Sequence, residues 1–299
     1  MRRFKRGFTL IELLVVIAII GLLISILIPS LSRARDMARS AMCKSNMRQV
    51  SHGWHLYADD HKDISVPGRF GSYPGGKENP ANWYNVGNGL KVRPRWIAVM
   101  GKYVGVFAFR EPVLADERQD YDAEVYQCPA APDRVDERNH ALGYNHHFLG
   151  NARLKNGRFV NFPVNRTRIK SFGGTVLAAD SMGTAAGVAR SNRGQYSNNG
   201  TTTSDDGNHA WSLDPPRLTD RSDRGTGDAG SPRTAVAPRH LSKSNAVYCD
   251  GHAETLPIQE LGYRTLPDGK FVDLESMDDS PDNKLFSGTG RDDDPPAIP

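Results

Sequence analysis

The side chains of this 299-residue chain that could do chemistry are few and scattered. His240 is followed by nine residues and then by Asp250-Gly251, in HLSKSNAVYCDGH, with His252 directly after. Asp180 ends the apolar run VLAAD at 176–180. Imidazoles and carboxylates in this combination bind divalent cations once a fold gathers them. Asp180, His240, Asp250 and His252 therefore form a candidate metal set. The competing structural reading is a hairpin in which Asp250-Gly251 is the turn and His240 hydrogen-bonds across it. Neither a nucleophile nor a paired-carboxylate pattern accompanies the four residues, so the pattern points away from an enzyme.

Cysteine is the second source of chemistry. Cys43, Cys128 and Cys249 make an odd count, which fits one disulfide with one spare thiol, or no bridge at all. Cys43–Cys128 is the candidate disulfide. It would close a loop of ~85 residues and stabilise by roughly 4–5 kcal/mol in the loop-entropy model. The alternative is a pair of reduced core thiols. Cys249 is then the odd thiol, expected inside a sheet. No C-x-x-C is present, so neither a zinc ribbon nor a thioredoxin-like site is expected.

The third unusual group is Glu12. Between Phe8 and Ile28 lie 21 residues of which only Thr9, Glu12 and Ser25 are polar. As a helix that run spans roughly 31 Å, enough for a bilayer core. Arg2, Arg3, Lys5 and Arg6 precede it. By the positive-inside rule this end stays in the cytoplasm and the rest of the chain crosses to the periplasmic or extracellular side. A carboxylate at such a depth costs about 2.5–3.5 kcal/mol. Three readings meet that cost. Glu12 snorkels to the headgroups, or the run is a secretory signal peptide, or Glu12 pairs with a cation from a neighbouring subunit. The signal-peptide reading lacks an A-x-A cleavage site, since Pro29 and LSRARDMARS follow the run.

The elements that position these groups can also be read. Residues 31–58 continue the helix, and Cys43, Met47, Val50, Trp54 and Tyr57 fall at steps of four, three, four and three. That spacing is one apolar stripe, which reads as ordinary core packed on a domain. DDHKD at 59–63 ends the helix. A turn-rich stretch follows, and PRWIAVMGKYVGVFAF (94–109) suits a short helix and then a strand. Cys128 lies on a short extended segment, YQCPAAPD. TVLAADS (175–181) is a short strand. Asn156-Gly157, Asp250-Gly251 and Asp268-Gly269, each between apolar or β-branched runs, predict hairpins with type I′ turns. The fold class is α+β, a long N-terminal helix packed on an antiparallel sheet with long loop insertions.

Composition sets the limits. Hydrophobic content is 38%, with 29 Gly and 19 Pro, so the domain after the helix should be loop-rich. The net charge of +4 equals the positive side chains of MRRFKRG, so without that leader the chain is neutral and nucleic acid is not an expected partner. Residues 187–238 are rich in Ser, Asn, Gly, Thr, Asp and Arg and read as a flexible insertion. The acidic, Pro-rich tail 276–299 reads as disordered.

Gly7-Phe8-Thr9-Leu10-Ile11-Glu12 after a short basic leader resembles the type IV prepilin signal. That resemblance implies a leader, 1–7, cut after Gly7 by a membrane peptidase that also methylates Phe8. It implies that Glu12, fifth in the mature chain, pairs with the N-terminal ammonium of a neighbouring subunit during assembly. Pro29 fits the bend common in pilin helices. The spacing of His240 and Asp250-Gly251 resembles the H-x9-D-G signature of pilin-like proteins common in planctomycetes. CKSNMRQ (43–49), Cys128-Pro129, GYNHH (143–147) and VLAAD agree with that group, while Cys249 stands where an aromatic or other apolar residue is more usual.

The implied protein is a pseudopilin-like subunit of type II secretion or a related filament. Its expected domains are the leader 1–7, a membrane and assembly helix 8–59, a periplasmic α+β domain 60–275 and the tail. Its expected partners are the prepilin peptidase and N-methyltransferase, other pilin-like subunits and the inner membrane. No cofactor is assigned beyond a candidate divalent cation. Calcium is the cation the resemblance suggests, because the major pseudopilins hold it in a C-terminal loop and DDSPDN (278–283), with Asp278 and Asp279, offers hard oxygen ligands. Two alternatives stand beside this: a minor pilin whose 187–238 segment binds a surface or secreted substrate, and an anchored metalloenzyme built on His240, Asp250 and His252.

Overall fold

The computed structural model describes residues 9–71, 73–114, 119–131, 137–156, 158–193, 209–219, 222, 233–272 and 280–299. The leader, Phe8, Asp278, Asp279 and most of the polar stretch 187–238 lie outside the described residues.

Helix α1 runs unbroken over Leu10–Asp60, 51 residues. That length corresponds to about 76 Å. Its first half is apolar and exposed throughout, and by length and composition it can cross a membrane. Pro29 lies inside the helix. It removes the N–H that would reach the Ser25 carbonyl, and the flanking exposed helix tolerates that loss in a membrane or bundle setting.

The second half behaves differently. Cys43, Met47, Val50, Trp54 and Tyr57 are all buried, so the predicted stripe is the packed face. Each large apolar side chain so covered contributes roughly 1.5–3 kcal/mol. Helix α2 (Gly101–Val104) crosses this face at Gly53, where a Cβ would stand 2.4 Å from Val104 Cγ2. The helix stops where Lys62 and Asp63 take φ of +56° and +62° and the Asp63 N–H turns back to the Ala58 carbonyl at 2.8 Å.

The strands are β1 (Trp83–Asn85), β2 (Leu90–Val92), β3 (Leu142–Tyr144), β4 (Ala152–Lys155), β5 (Arg158–Asn161), β6 (Val176–Gly183), β7 (Ala235–Val236), β8 (Ser244–Tyr248) and β9 (Ala253–Leu256). The main sheet is antiparallel, in the order β3-β6-β8-β9, with β7 paired to the far end of β6. Register sets Leu142 opposite Asp180, Ala179 opposite Ala246 and Val247 opposite Ala253. Strand alternation, with a register shift in β6 between Val176 and Ala178, then divides two cores. Ala178, Val247 and Cys249 face α1, whereas Val176, Ala179, Ala246 and Tyr248 face a second core with Leu261, Tyr263 and Phe286. The α+β architecture matches the expectation.

Local expectations were met unevenly. Asn156 lies at φ +52° between the paired strands β4 and β5, while Gly157, the second residue of the expected type I′ turn, lies outside the described residues. The two Asp-Gly hairpins are not type I′ turns. At Asp250-Gly251 only the glycine has positive φ, +91°, and its N–H bonds the Tyr248 carbonyl at 3.0 Å. Cys249 thus joins the loop, which is the three-residue form with a left-handed glycine at its end. Asp268-Gly269 repeats this with Gly269 at φ +89° and its N–H on the Leu266 carbonyl at 2.8 Å. Pro267, with φ fixed near −65°, suits the first central position of such a turn. Residues 94–109 give a short 3-10 turn (Ala98–Met100) and α2, without the expected strand.

Two stretches taken for loose chain contain core. Trp211, Leu213, Leu218, Ala235 and Val236, all within 187–238, are buried, and the Trp211 carbonyl accepts the Tyr144 N–H at 3.0 Å. Averaging composition over the whole stretch hid these apolar islands. In the tail Phe286 and Asn283 are buried, the Val176 N–H donates to the Leu285 carbonyl at 2.7 Å, and Asn145 Nδ2 donates to the Phe286 carbonyl at 2.9 Å. From Ser280 onward the chain closes the second core rather than leaving it.

Candidate functional site

Four chemically capable side chains converge beneath α1. Cys43 comes from the helix stripe, Cys128 from a turn after the 3-10 segment Glu124–Tyr126, Asp180 from β6, and His240 from the turn that leads into β8. Cys43 Sγ lies 3.5 Å from Asp180 Oδ1, Cys128 Sγ lies 3.4 Å from His240 Nε2, and His240 Nε2 lies 3.2 Å from Asp180 Oδ2. All four donor atoms fall within 4.8 Å of one another. All four residues are buried, none more than 3% exposed.

The backbone explains why they meet. Asp180 follows Ala178 by two residues and so points to the α1 side of the sheet. Its carboxylate accepts the Asn245 N–H at 2.8 Å, and its carbonyl accepts the Ala237 N–H at 2.8 Å. Asn245 in turn ties β8 to α1, since Ser40 Oγ donates to Asn245 Oδ1 at 3.0 Å and Asn245 Nδ2 donates to the Ser40 carbonyl at 3.2 Å. Asn46 on the same helix donates to the carbonyls of Glu124 and Gln127, both at 3.0 Å, and so holds the Cys128 segment. His240 and Lys243 exchange backbone hydrogen bonds at 2.9 and 3.0 Å around Leu241-Ser242, with φ of +51° and +64°. That is the type I′ geometry expected elsewhere, here in residues that do not favour it.

The electrostatics are coupled. The hydrogen bond from the Cys43 thiol lowers Cys128 below its ordinary value; burial opposes this and His240 assists it. The same bond, with burial and the Asp180 charge, raises Cys43 well above its ordinary value. Burial alone would lower His240, but hydrogen bonds and charge from Asp180 and Cys128 outweigh it and raise the imidazole to about 9.

Of the predicted metal set, Asp180 and His240 are brought together and Asp250 and His252 are not. Strand β8 separates the two ends of the H-x9-D-G spacing, and its five residues alone extend about 17 Å. Asp250 instead serves its own turn, accepting the His252 N–H at 3.1 Å and lying 2.6 Å from His252 Nδ1. The His252 ring stacks on Tyr248 at 4.3 Å. Cys43 and Cys128 are neighbours, and both are free buried thiols in this structure, the second of the two readings of the pair. Cys249 is a buried thiol under α1, as read, and burial pushes its titration up.

The joining of the cysteines to the Asp180–His240 pair went unpredicted. It depends on contacts more than a hundred residues apart along the chain, and no local spacing encodes them. A second gathered set, His146, His147 and Asp214, is also buried. Burial first, then the charges of Arg153 and Arg69, hold His146 near 3. Two guanidinium groups beside the site disfavour a cation there.

At the other end of the helix, Glu12 answers for itself locally. The Thr9 N–H and hydroxyl both donate to Glu12 Oε2 at 2.8 Å, and the Glu12 N–H donates to Thr9 Oγ1 at 3.3 Å. This is a reciprocal capping box, legible in the sequence as Thr-x-x-Glu before an apolar run. Gly7 and Phe8, just before it, lie outside the described residues.

The chain carries the prokaryotic N-terminal methylation motif, matched over residues 2–28. It is similar to the type II secretion system core protein G of Pseudomonas aeruginosa, at 28% identity over 88 residues, 27% of this chain and 61% of that protein. It is also similar to the type IV wide pilus major component PilA4 of Thermus thermophilus, at 36% identity over 80 residues, 27% of this chain and 61% of that protein. The chain thus spans about three fifths of the length of these relatives. No solved structure matches it.

Proposed function

We propose that this chain is a pilin-like structural subunit of a type II secretion pseudopilus or a related type IV pilus-like filament, cut after Gly7 and methylated on Phe8. The observation that carries the reading is continuity. The methylation motif ends inside a 51-residue helix whose first half is apolar and uncovered and whose second half is the spine of a folded domain. Such a helix has two successive environments for one apolar surface, the bilayer and then a filament core of like helices. The names of the two relatives, a secretion-system core protein and a pilus component, support the same reading. On it, the chain is held in the inner membrane with its domain on the periplasmic side, and other pilin-like subunits are its partners.

Glu12 then has two duties, capping its own helix and pairing with the new ammonium of a neighbour. They separate experimentally because Gln can complete a capping box and Ala cannot. Glu12→Gln should leave the helix and domain intact while abolishing incorporation of the subunit into filaments, measured by shearing and sedimentation from the native host. Glu12→Ala should fail to assemble and also fray the first turn. Filaments of normal yield from Glu12→Gln would remove the pairing from the proposal.

A further inference from the structure

The proposed assembly reading makes no use of the four side chains gathered beneath α1. We infer that Cys43, Cys128, Asp180 and His240 are the ligands of a structural zinc ion. A tetrahedral zinc centre with bonds of ~2.0–2.3 Å has ligand-to-ligand edges of roughly 3.3–3.8 Å. Two edges, Cys43 Sγ to Asp180 Oδ1 at 3.5 Å and Cys128 Sγ to His240 Nε2 at 3.4 Å, are already close to those values, and the four donor atoms lie within 4.8 Å of one another, so a small adjustment of side chains completes the coordination. Two thiolates with one imidazole and one carboxylate select zinc over calcium, which prefers an all-oxygen shell of higher coordination number.

The surroundings suit such a site. Asp180 is held by the Asn245 N–H, which leaves Oδ1 directed at Cys43. A fixed carboxylate of this kind keeps a coordination geometry in place. All four ligands are buried, so the protein supplies the whole shell and leaves no open position for a reacting water, as a structural centre requires. A groove of ≈ 280 Å³ lined by Ser40, Lys44, His240, Lys243 and Thr255 gives an ion access from solvent beside His240. On binding, Cys43 and Cys128 release the thiol protons they still hold and the His240 imidazolium releases its Nε2 proton, all to solvent, as two zinc–sulfur bonds and one zinc–nitrogen bond form. One ion would then clamp α1 to the Cys128 segment, to β6 and to the turn before β8. This is the tie first expected of a disulfide.

The test uses full-length protein extracted from membranes in detergent without chelator or reductant. Elemental analysis should find about one zinc per chain. X-ray absorption at the zinc edge should show two sulfur and two nitrogen or oxygen neighbours. Cobalt exchanged into the site should give intense visible bands and a thiolate charge-transfer band. Cys128→Ser and His240→Ala should each lose the zinc. Loss of a buried ligand can also unfold the chain, so the wild-type absorption spectrum decides independently of the variants. A wild-type chain that takes up neither zinc nor cobalt overturns the inference. So does a mass lighter by two hydrogens from a Cys43–Cys128 bridge, and so does zinc with only nitrogen and oxygen neighbours.

Discussion

His140 is buried between the rings of Trp96 and Tyr121, and neither of its nitrogens has a hydrogen-bond partner among the described residues. Burial, with help from the Arg95 charge, lowers it to about 3. The folded state therefore refuses a proton that the unfolded chain accepts near pH 6.5. The contribution to stability is complete above about pH 6.5 and is lost as pH falls towards 3, at up to about 1.4 kcal/mol per pH unit. Chemical unfolding at stepped pH should show this loss, and His140→Gln should flatten it; an unchanged slope would place the acid sensitivity elsewhere. Single residues were unevenly legible. Glu12 stands out because a carboxylate in an apolar run demands a reason, and its nearest partner, Thr9, is only three residues away. Asp180 with His240, and Cys43 with Cys128, were each paired from sequence. What joins the two pairs is the register of β6 against β3 and β8, which sequence spacing does not carry.

Helix α1 shows what periodicity can and cannot tell. Its buried stripe followed from steps of three and four, because a helix buries one face. The close approach of α2 at Gly53 did not, since a lone glycine in a helix gives no direction. Gly53→Ala gains helix propensity of ~1 kcal/mol. The new methyl meets Val104 Cγ2 at 2.4 Å and the Val104 backbone nitrogen at 3.3 Å, and overpacking of this kind costs about 1–3 kcal/mol. Thermal unfolding should show net destabilisation; a higher midpoint would mean that α2 yields freely. Of the main sheet, β3 and β7 are too short to stand out, whereas β6, β8 and β9 are readable as apolar runs. Their turns were misjudged because Asp-Gly suits two loop lengths, and only the pairing of Tyr248 with His252 fixes which one forms.

Across the whole molecule, one chain presents two kinds of surface. The apolar half of α1 lies outside any core of its own, while the buried apolar residues of the rest of the chain form two main cores on either side of the sheet. Composition concealed how far the second core extends, because Trp211 and Phe286 sit in polar, glycine-rich or acidic text. The relatives cover only about a quarter of the chain, so the C-terminal domain is understood from its own geometry. What unites the molecule is the proposed passage of α1 from bilayer to filament, and that passage begins at the Gly7–Phe8 bond. Intact mass and N-terminal sequencing of the protein from its native membrane test it directly. The expected chain begins at N-methylated Phe8. A chain still beginning at Met1 would contradict the proposal, leaving α1 a plain single-pass anchor and Glu12 only a helix cap.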